Sequence, residues 1–138
     1  MRTLVILACL LTLAAPLAAP AMSAPGSGVT AHSSRYGTIL FDRRGFALYA
    51  FTRDWRGRSA CSGACAKAWP PYLVKGAAPS GRLLGTSRRA DGSMQVTYAG
   101  RPLYYYVGDR SPGQILCQNV SEFGGRWLVV RPDGSLVR

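Results

Sequence analysis

Asp54 and Asp109 are two of only six acidic residues in the chain, and they close matching stretches. Gly45-Phe-Ala-Leu-Tyr-Ala-Phe-Thr-Arg-Asp54 lies over Gly100-Arg-Pro-Leu-Tyr-Tyr-Tyr-Val-Gly-Asp109 at one unvarying offset. Two carboxylates brought together could hold a cation or ligand, or act as general acid and base at a suitable separation. The plainer expectation is turn chemistry, each carboxylate accepting backbone N–H groups and fixing the loop behind its strand. Cys61-Ser-Gly-Ala-Cys65 offers a second chemistry. In an exported protein the default is a disulfide. Two thiolates could instead hold copper(I), with Met94 or Cys117 as third ligand, or cycle as a redox dithiol, although the spacing is not that of thioredoxin. His32 is the single histidine. It lies in the N-terminal stretch that reads as a tether, which argues against Ser–His–Asp and Cys–His catalysis. There is no phosphate loop, dinucleotide fingerprint or His-Glu-x-x-His, so no cofactor is expected.

The repeat that carries these residues implies a duplicated supersecondary unit. Side chains alternate along a strand, so Tyr49 and Phe51 share one face, and Tyr104 and Tyr106 the equivalent one. Core packing with a partner for each hydroxyl is the first expectation; an aromatic-lined groove between the copies is the alternative. Strand signals recur over Tyr36–Phe41, Phe46–Thr52, Leu83–Arg89, Met94–Tyr98, Leu103–Val107, Arg126–Arg131 and Leu136–Arg138. Turn residues such as Asp91-Gly92 and Pro132-Asp133-Gly134 separate them. Many short strands with frequent turns predict an all-β fold, a duplicated hairpin or meander forming a small sandwich or barrel. One short helix or turn is expected around Cys61–Trp69, stopped by Pro70-Pro71. A regular helix sets residues four apart at about 6 Å between Cα atoms, the long end for a disulfide. A loop or distorted first turn is therefore expected there, eased by Gly63. Ser111–Gly125, the matching part of the second copy, reads as loop.

Arg2, the apolar run from Leu4 to Leu17 and the small residues after it form a secretory signal peptide over 1–23, with cleavage after Ala21 or Ser23. Ile6-Leu7-Ala8-Cys9 has the look of a lipidation box but sits too close to Met1 to leave an apolar region. Residues 24–35 are Gly-, Ser- and Ala-rich without periodicity and read as a flexible tether. Residues 36–138 then make one repeat-built domain, with copies at about 36–74 and 83–131. Setting Cys9 aside leaves three cysteines, so Cys117 is the odd one: buried and inert, or able to exchange with Cys61 or Cys65 or to link two chains. The formal charge is +11, carried almost wholly by arginine. A surface of this kind outside the cytoplasm adheres to anions: cell-wall polymer, polysaccharide or lipid headgroups. Export makes nucleic acid an improbable partner.

Together the motifs resemble the bacterial family of secreted repeats with a Tyr-x-aromatic-x-x-Asp motif, often described as predicted lipoproteins. The matches are Tyr49-x-Phe51-x-x-Asp54, Tyr104-x-Tyr106-x-x-Asp109, Cys61-x-x-x-Cys65 before Trp69-Pro70-Pro71, Asp91-Gly92, Gln95-Val96-Thr97-Tyr98 and Gly124-Gly125-x-Trp127. The resemblance implies repeat architecture and export, and no activity. The expectation is an exported, monomeric, non-catalytic module binding an anionic envelope component. A copper-handling or thiol-redox protein using Cys61 and Cys65 is the alternative.

Overall fold

The computed structural model describes residues 27–138; the signal-peptide reading and the first tether residues lie outside them. Eight strands and one helix follow in order: β1 (Val29–Ser34), β2 (Gly37–Asp42), β3 (Tyr49–Phe51), α1 (Ala64–Ala68), β4 (Leu84–Arg88), β5 (Met94–Tyr98), β6 (Arg101–Pro102), β7 (Val120–Glu122) and β8 (Gly125–Val129). They form three small antiparallel sheets, β1-β2, β3-β8-β7 and β4-β5-β6, and close no barrel among the described residues. The all-β expectation is met.

Each copy begins with a hairpin, and its motif segment follows. β1 pairs with β2 as β4 pairs with β5. Leu48 N–H then donates to Leu40 O (3.1 Å), as Leu103 N–H donates to Val96 O (3.0 Å). The tether expected up to residue 35 is therefore mistaken over Val29–Ser34, which is the first strand of the first repeat. No residue of β1 is buried and three of its six are exposed, so no apolar alternation marks it. Its strand character comes from pairing with β2 along its whole length and from a tight turn. In that turn Ser34 Oγ accepts from Tyr36 N–H (3.0 Å) and donates to Gly37 O (2.8 Å).

Other boundaries shift for the same reason, that tertiary partners decide them. The turn expected after Phe41 forms, with Asp42 N–H donating to Phe46 O (2.9 Å), but β3 takes β8 as its sheet partner. Leu103–Val107 is not one regular strand: Tyr104 makes single bridges to Tyr49 and to Pro71. Leu136 makes one bridge, to Val130, in place of a final strand. The stretch read as loop over Ser111–Gly125 contains β7. The expected distorted turn is present: Cys61 precedes α1, Gly63 takes φ 57°, and the Cys61 and Cys65 Cα atoms stand 5.3 Å apart in a disulfide.

β3 and residues 127–129 of β8 are buried on both faces. Tyr49, Phe51, Trp127 and Val129 turn to one apolar cluster with Trp69 and Tyr104. Leu48, Ala50, Leu128 and Val130 turn to a second with Val96 and Leu103. At about 25 cal/mol per Å² of apolar surface, burying aromatics of this size is the main force joining the copies.

Candidate functional site

The two motif strands meet at Tyr49 and Tyr104. Each donates its backbone N–H to the other's carbonyl at 2.9 Å, so a pseudo-twofold axis passes between them. Their side chains cross that axis. Tyr49 Oη donates to Asp109 Oδ2 at 2.7 Å, and Tyr104 Oη donates to Asp54 Oδ2 at 2.9 Å. Each aspartate also pins its own loop: Asp54 Oδ1 accepts from Ala60 N–H (2.7 Å) and Asp109 Oδ1 from Leu116 N–H (3.0 Å). The tyrosine of one repeat thus locks the loop of the other.

The aromatic face is core, not an open groove between the copies. Phe51, Trp127 and Trp69 stack in that order with centroids 4.1 and 4.1 Å apart, and Tyr106 continues the row tilted by 38° at 4.8 Å from Trp69. The symmetry holds in the edge contacts as well: Tyr49 stands edge-on to Trp69 (5.2 Å) and Tyr104 edge-on to Trp127 (5.0 Å). Offset and edge-to-face pairs of this kind add about 1 kcal/mol each beyond area burial. The indoles break the symmetry. Trp69 Nε1 donates to Glu122 Oε2 (2.8 Å), whereas Trp127 Nε1 is buried with no partner.

Burial dominates the electrostatics. It pushes the Asp54 carboxyl up to about 6, against the pull of Ala60 N–H, the Tyr104 hydroxyl and the Arg89 guanidinium. Asp109 is raised by the same desolvation. Tyr49 and Tyr104 are raised well above the usual phenol range, first by desolvation and then by the neighbouring carboxylates. Both hydroxyls remain donors at any physiological pH. This centre is a reciprocal clasp, with its hydrogen-bonding groups turned on one another.

The cysteines take separate places. Cys61 and Cys65 are buried in their disulfide and present no thiolates to a metal. Cys117 is a half-buried free thiol packed against the same core. Leu116 bonds Asp109 as Ala60 bonds Asp54, so the next residue, Cys117, is the counterpart of Cys61 without a counterpart of Cys65. Met94 lies on β5, and His32 on β1 near Phe41. Among the described residues, no group of three or more His, Cys, Asp or Glu could hold a metal ion.

Open surface lies elsewhere. A groove of about 970 Å³ runs between the loop of the first copy and β4, lined by Arg56, Arg58, Ser59, Arg88, Arg89 and Asp91. Arg89 is structural: Nη1 donates to Ser59 Oγ (2.9 Å) and Gln95 Oε1 (2.8 Å), and Nη2 to Cys61 O (2.7 Å). Arg56, Arg58 and Arg88 make no ion pair; among the described residues only Arg44 pairs with a carboxylate, Asp42 Oδ2 at 3.0 Å. The Asp91 carboxylate is occupied by Ser93, at 2.9 Å to its N–H and 2.6 Å to its hydroxyl. Sequence reasoning missed Arg89, Trp69 and Trp127 as organising residues. The two tryptophans, each following a cysteine-bearing loop, were the signal that could have found the stack.

Two segments, residues 30–72 and 85–131, match a family model described as a secreted repeat of unknown function. The first segment takes in nearly all of β1, as the fold requires. Neither a curated protein nor a solved structure matches the chain.

Proposed function

We propose that this chain, which belongs to the family of secreted repeats of unknown function, is a non-catalytic binding module for a polyanion of the cell envelope, held in the arginine groove. The observation that carries the reading is that groove: Arg56, Arg58 and Arg88 line it without a carboxylate partner, beside a single occupied aspartate. Guanidinium groups without a carboxylate partner are suited to bidentate contact with phosphate or carboxylate. The Tyr–Asp motif supports the reading from the other side. Its groups are engaged with one another, so its part is to hold the groove's loop in place. A disulfide buried in the core, beside one unpaired thiol, gives the thiol-redox alternative no accessible dithiol.

The test is titration calorimetry with three probes: poly(glycerol phosphate), a sulfated polysaccharide and phosphatidylglycerol vesicles. The triple variant Arg56→Ala/Arg58→Ala/Arg88→Ala is compared with Arg82→Ala/Arg110→Ala/Arg138→Ala, which removes the same charge from other exposed arginines. The groove variant is expected to lose about tenfold or more in affinity for its preferred probe. The matched variant is expected to lose about twofold, through long-range charge alone. Equal losses in the two would reduce the binding to net charge and end the proposal. The preferred probe separates polymer from lipid surface.

A further inference from the structure

The two halves of the pseudo-twofold differ along one backbone edge. In the second copy, the edge beyond β8 is covered by the chain's own tail. Val137 N–H donates to Val129 O (3.1 Å), and Arg131 N–H to Ser135 O (2.8 Å). The first copy supplies the matching edge. Leu40 N–H donates to Val130 O as Val96 N–H donates to Tyr72 O, which makes Tyr72 the counterpart of Val130 and Pro71 that of Val129. Tyr72 points its own groups inward: its N–H donates to Leu103 O (2.9 Å) and its carbonyl accepts from Val96 (2.8 Å). Alternation along an extended chain then turns the Pro71 carbonyl and the Leu73 N–H and C=O to the opposite edge. These are the counterparts of Val129 C=O and of the Arg131 N–H and C=O, which Val137, Ser135 and Gly134 engage in the second copy.

That edge lines a pocket of about 440 Å³ with Tyr72, Tyr105, Arg43 and Lys75. Two tilted rings, Tyr72 and Tyr105 at 5.3 Å, give it an apolar wall. Its one carboxylate is saturated: Asp42 accepts from Arg44 N–H (2.9 Å), Phe46 N–H (3.0 Å), Arg44 Nε (3.0 Å) and Tyr105 Oη (3.0 Å). Arg43 and Lys75 pair with no carboxylate among the described residues. Ser27 and Gly28 form the rim, accepting from Lys75 N–H (3.0 Å) and Tyr72 Oη (2.9 Å), and leave the Pro71–Leu73 edge, the apolar wall and the two side-chain cations to an extended acidic chain. We propose that the pocket is a docking site for an extended acidic peptide segment of a partner protein, seated as an added strand on Pro71–Leu73.

The probe is a capped peptide, Asp-Gly-Ser-Leu-Val-Asp, which copies the tail Asp133–Val137 and adds an acidic end. It is titrated into the isotope-labelled protein and followed by amide NMR. Shifts are expected at Leu73, Lys75 and Arg43, with slowed exchange of the Leu73 amide. Arg43→Gln and Lys75→Gln should each weaken binding by about fivefold, and a peptide with lysine for aspartate should not bind. Four results would overturn the proposal: no shift at millimolar peptide, equal binding of the lysine peptide, shifts confined to the arginine groove, or a Leu73 amide already protected before peptide is added. Because the groove and the pocket share no lining residue, loss of either site leaves the other measurable.

Discussion

Replacing Tyr49 by phenylalanine removes one oxygen and leaves the ring beside Trp69, so the change isolates half of the reciprocal clasp. The lost bond is 2.7 Å long, is buried and ends on a carboxylate. Hydrogen bonds to charged groups contribute about 2 kcal/mol. For a domain of this size that is a fall of roughly 8 °C in melting temperature. The cost depends on ionisation. Burial holds the Asp109 carboxyl above the ordinary range while the Tyr49 hydroxyl and Leu116 N–H pull it back. Without Tyr49 the charged form loses a partner and the neutral form loses less. Destabilisation is therefore expected to approach its full value at about pH 8 and to shrink to about 1 kcal/mol in acid. Denaturant unfolding followed by near-ultraviolet circular dichroism measures this on the wild type, Tyr49→Phe, Asp109→Asn and the double variant. A coupling energy of about 1–2 kcal/mol at neutral pH is expected. A coupling below about 0.3 kcal/mol, the level at which independent sites add, would refute the clasp.

Three further outcomes follow from the same structure. Asp54 has a folded pKa of about 6 against an ordinary 3.8, so its protonated form favours the fold. That contribution, at most about 3 kcal/mol, is complete below the unfolded pKa and is lost as pH rises through about 6. Stability measured across this window should decline with pH in the wild type and flatten in Asp54→Asn. Reducing the Cys61–Cys65 disulfide should cost about 2 kcal/mol for so short a loop, read as a lowered denaturation midpoint, while the oxidised protein lacking residues 1–23 titrates a single thiol, Cys117. Gly134→Ala would set a Cβ 2.3 Å from Ala99 Cβ at φ +86°, so a thermal melt should show a loss of about 1–3 kcal/mol.

The repeat was legible because its determinants are local and chemically distinctive. Tyr49 and Tyr104, Asp54 and Asp109 keep both type and spacing, and Gly63 lets the chain close a disulfide beside a helix. β1 escaped notice because an exposed edge strand needs no apolar alternation; its residues are strand by pairing, and pairing is written in β2. The crossing of the clasp escaped for a related reason. A motif shows which residues correspond, but its hydroxyls could reach their own loop or the opposite one, and only the register at the axis selects the second. The grooves were illegible because Arg56 and Arg88, or Arg43 and Lys75, come from segments brought together by the fold.

A duplicated domain divides its labour according to what the symmetry must keep. Residues that face their own counterparts across the axis satisfy two environments at once, since a change at Tyr49 also disturbs the loop behind Asp109. The rings of the stack are bound in the same way, each packed on a residue of the other repeat. Away from the axis the copies are free to differ, and they do: a helix stands where the second copy has β7, and a tail covers one strand edge while its counterpart lines a pocket. Both proposed binding sites fall in those unequal parts, because an open groove needs unpaired cations and exposed edges, which a packed axis excludes. The Tyr-x-aromatic-x-x-Asp motif therefore marks the frame of the domain, and the test of the proposed binding belongs where the two repeats have stopped resembling each other.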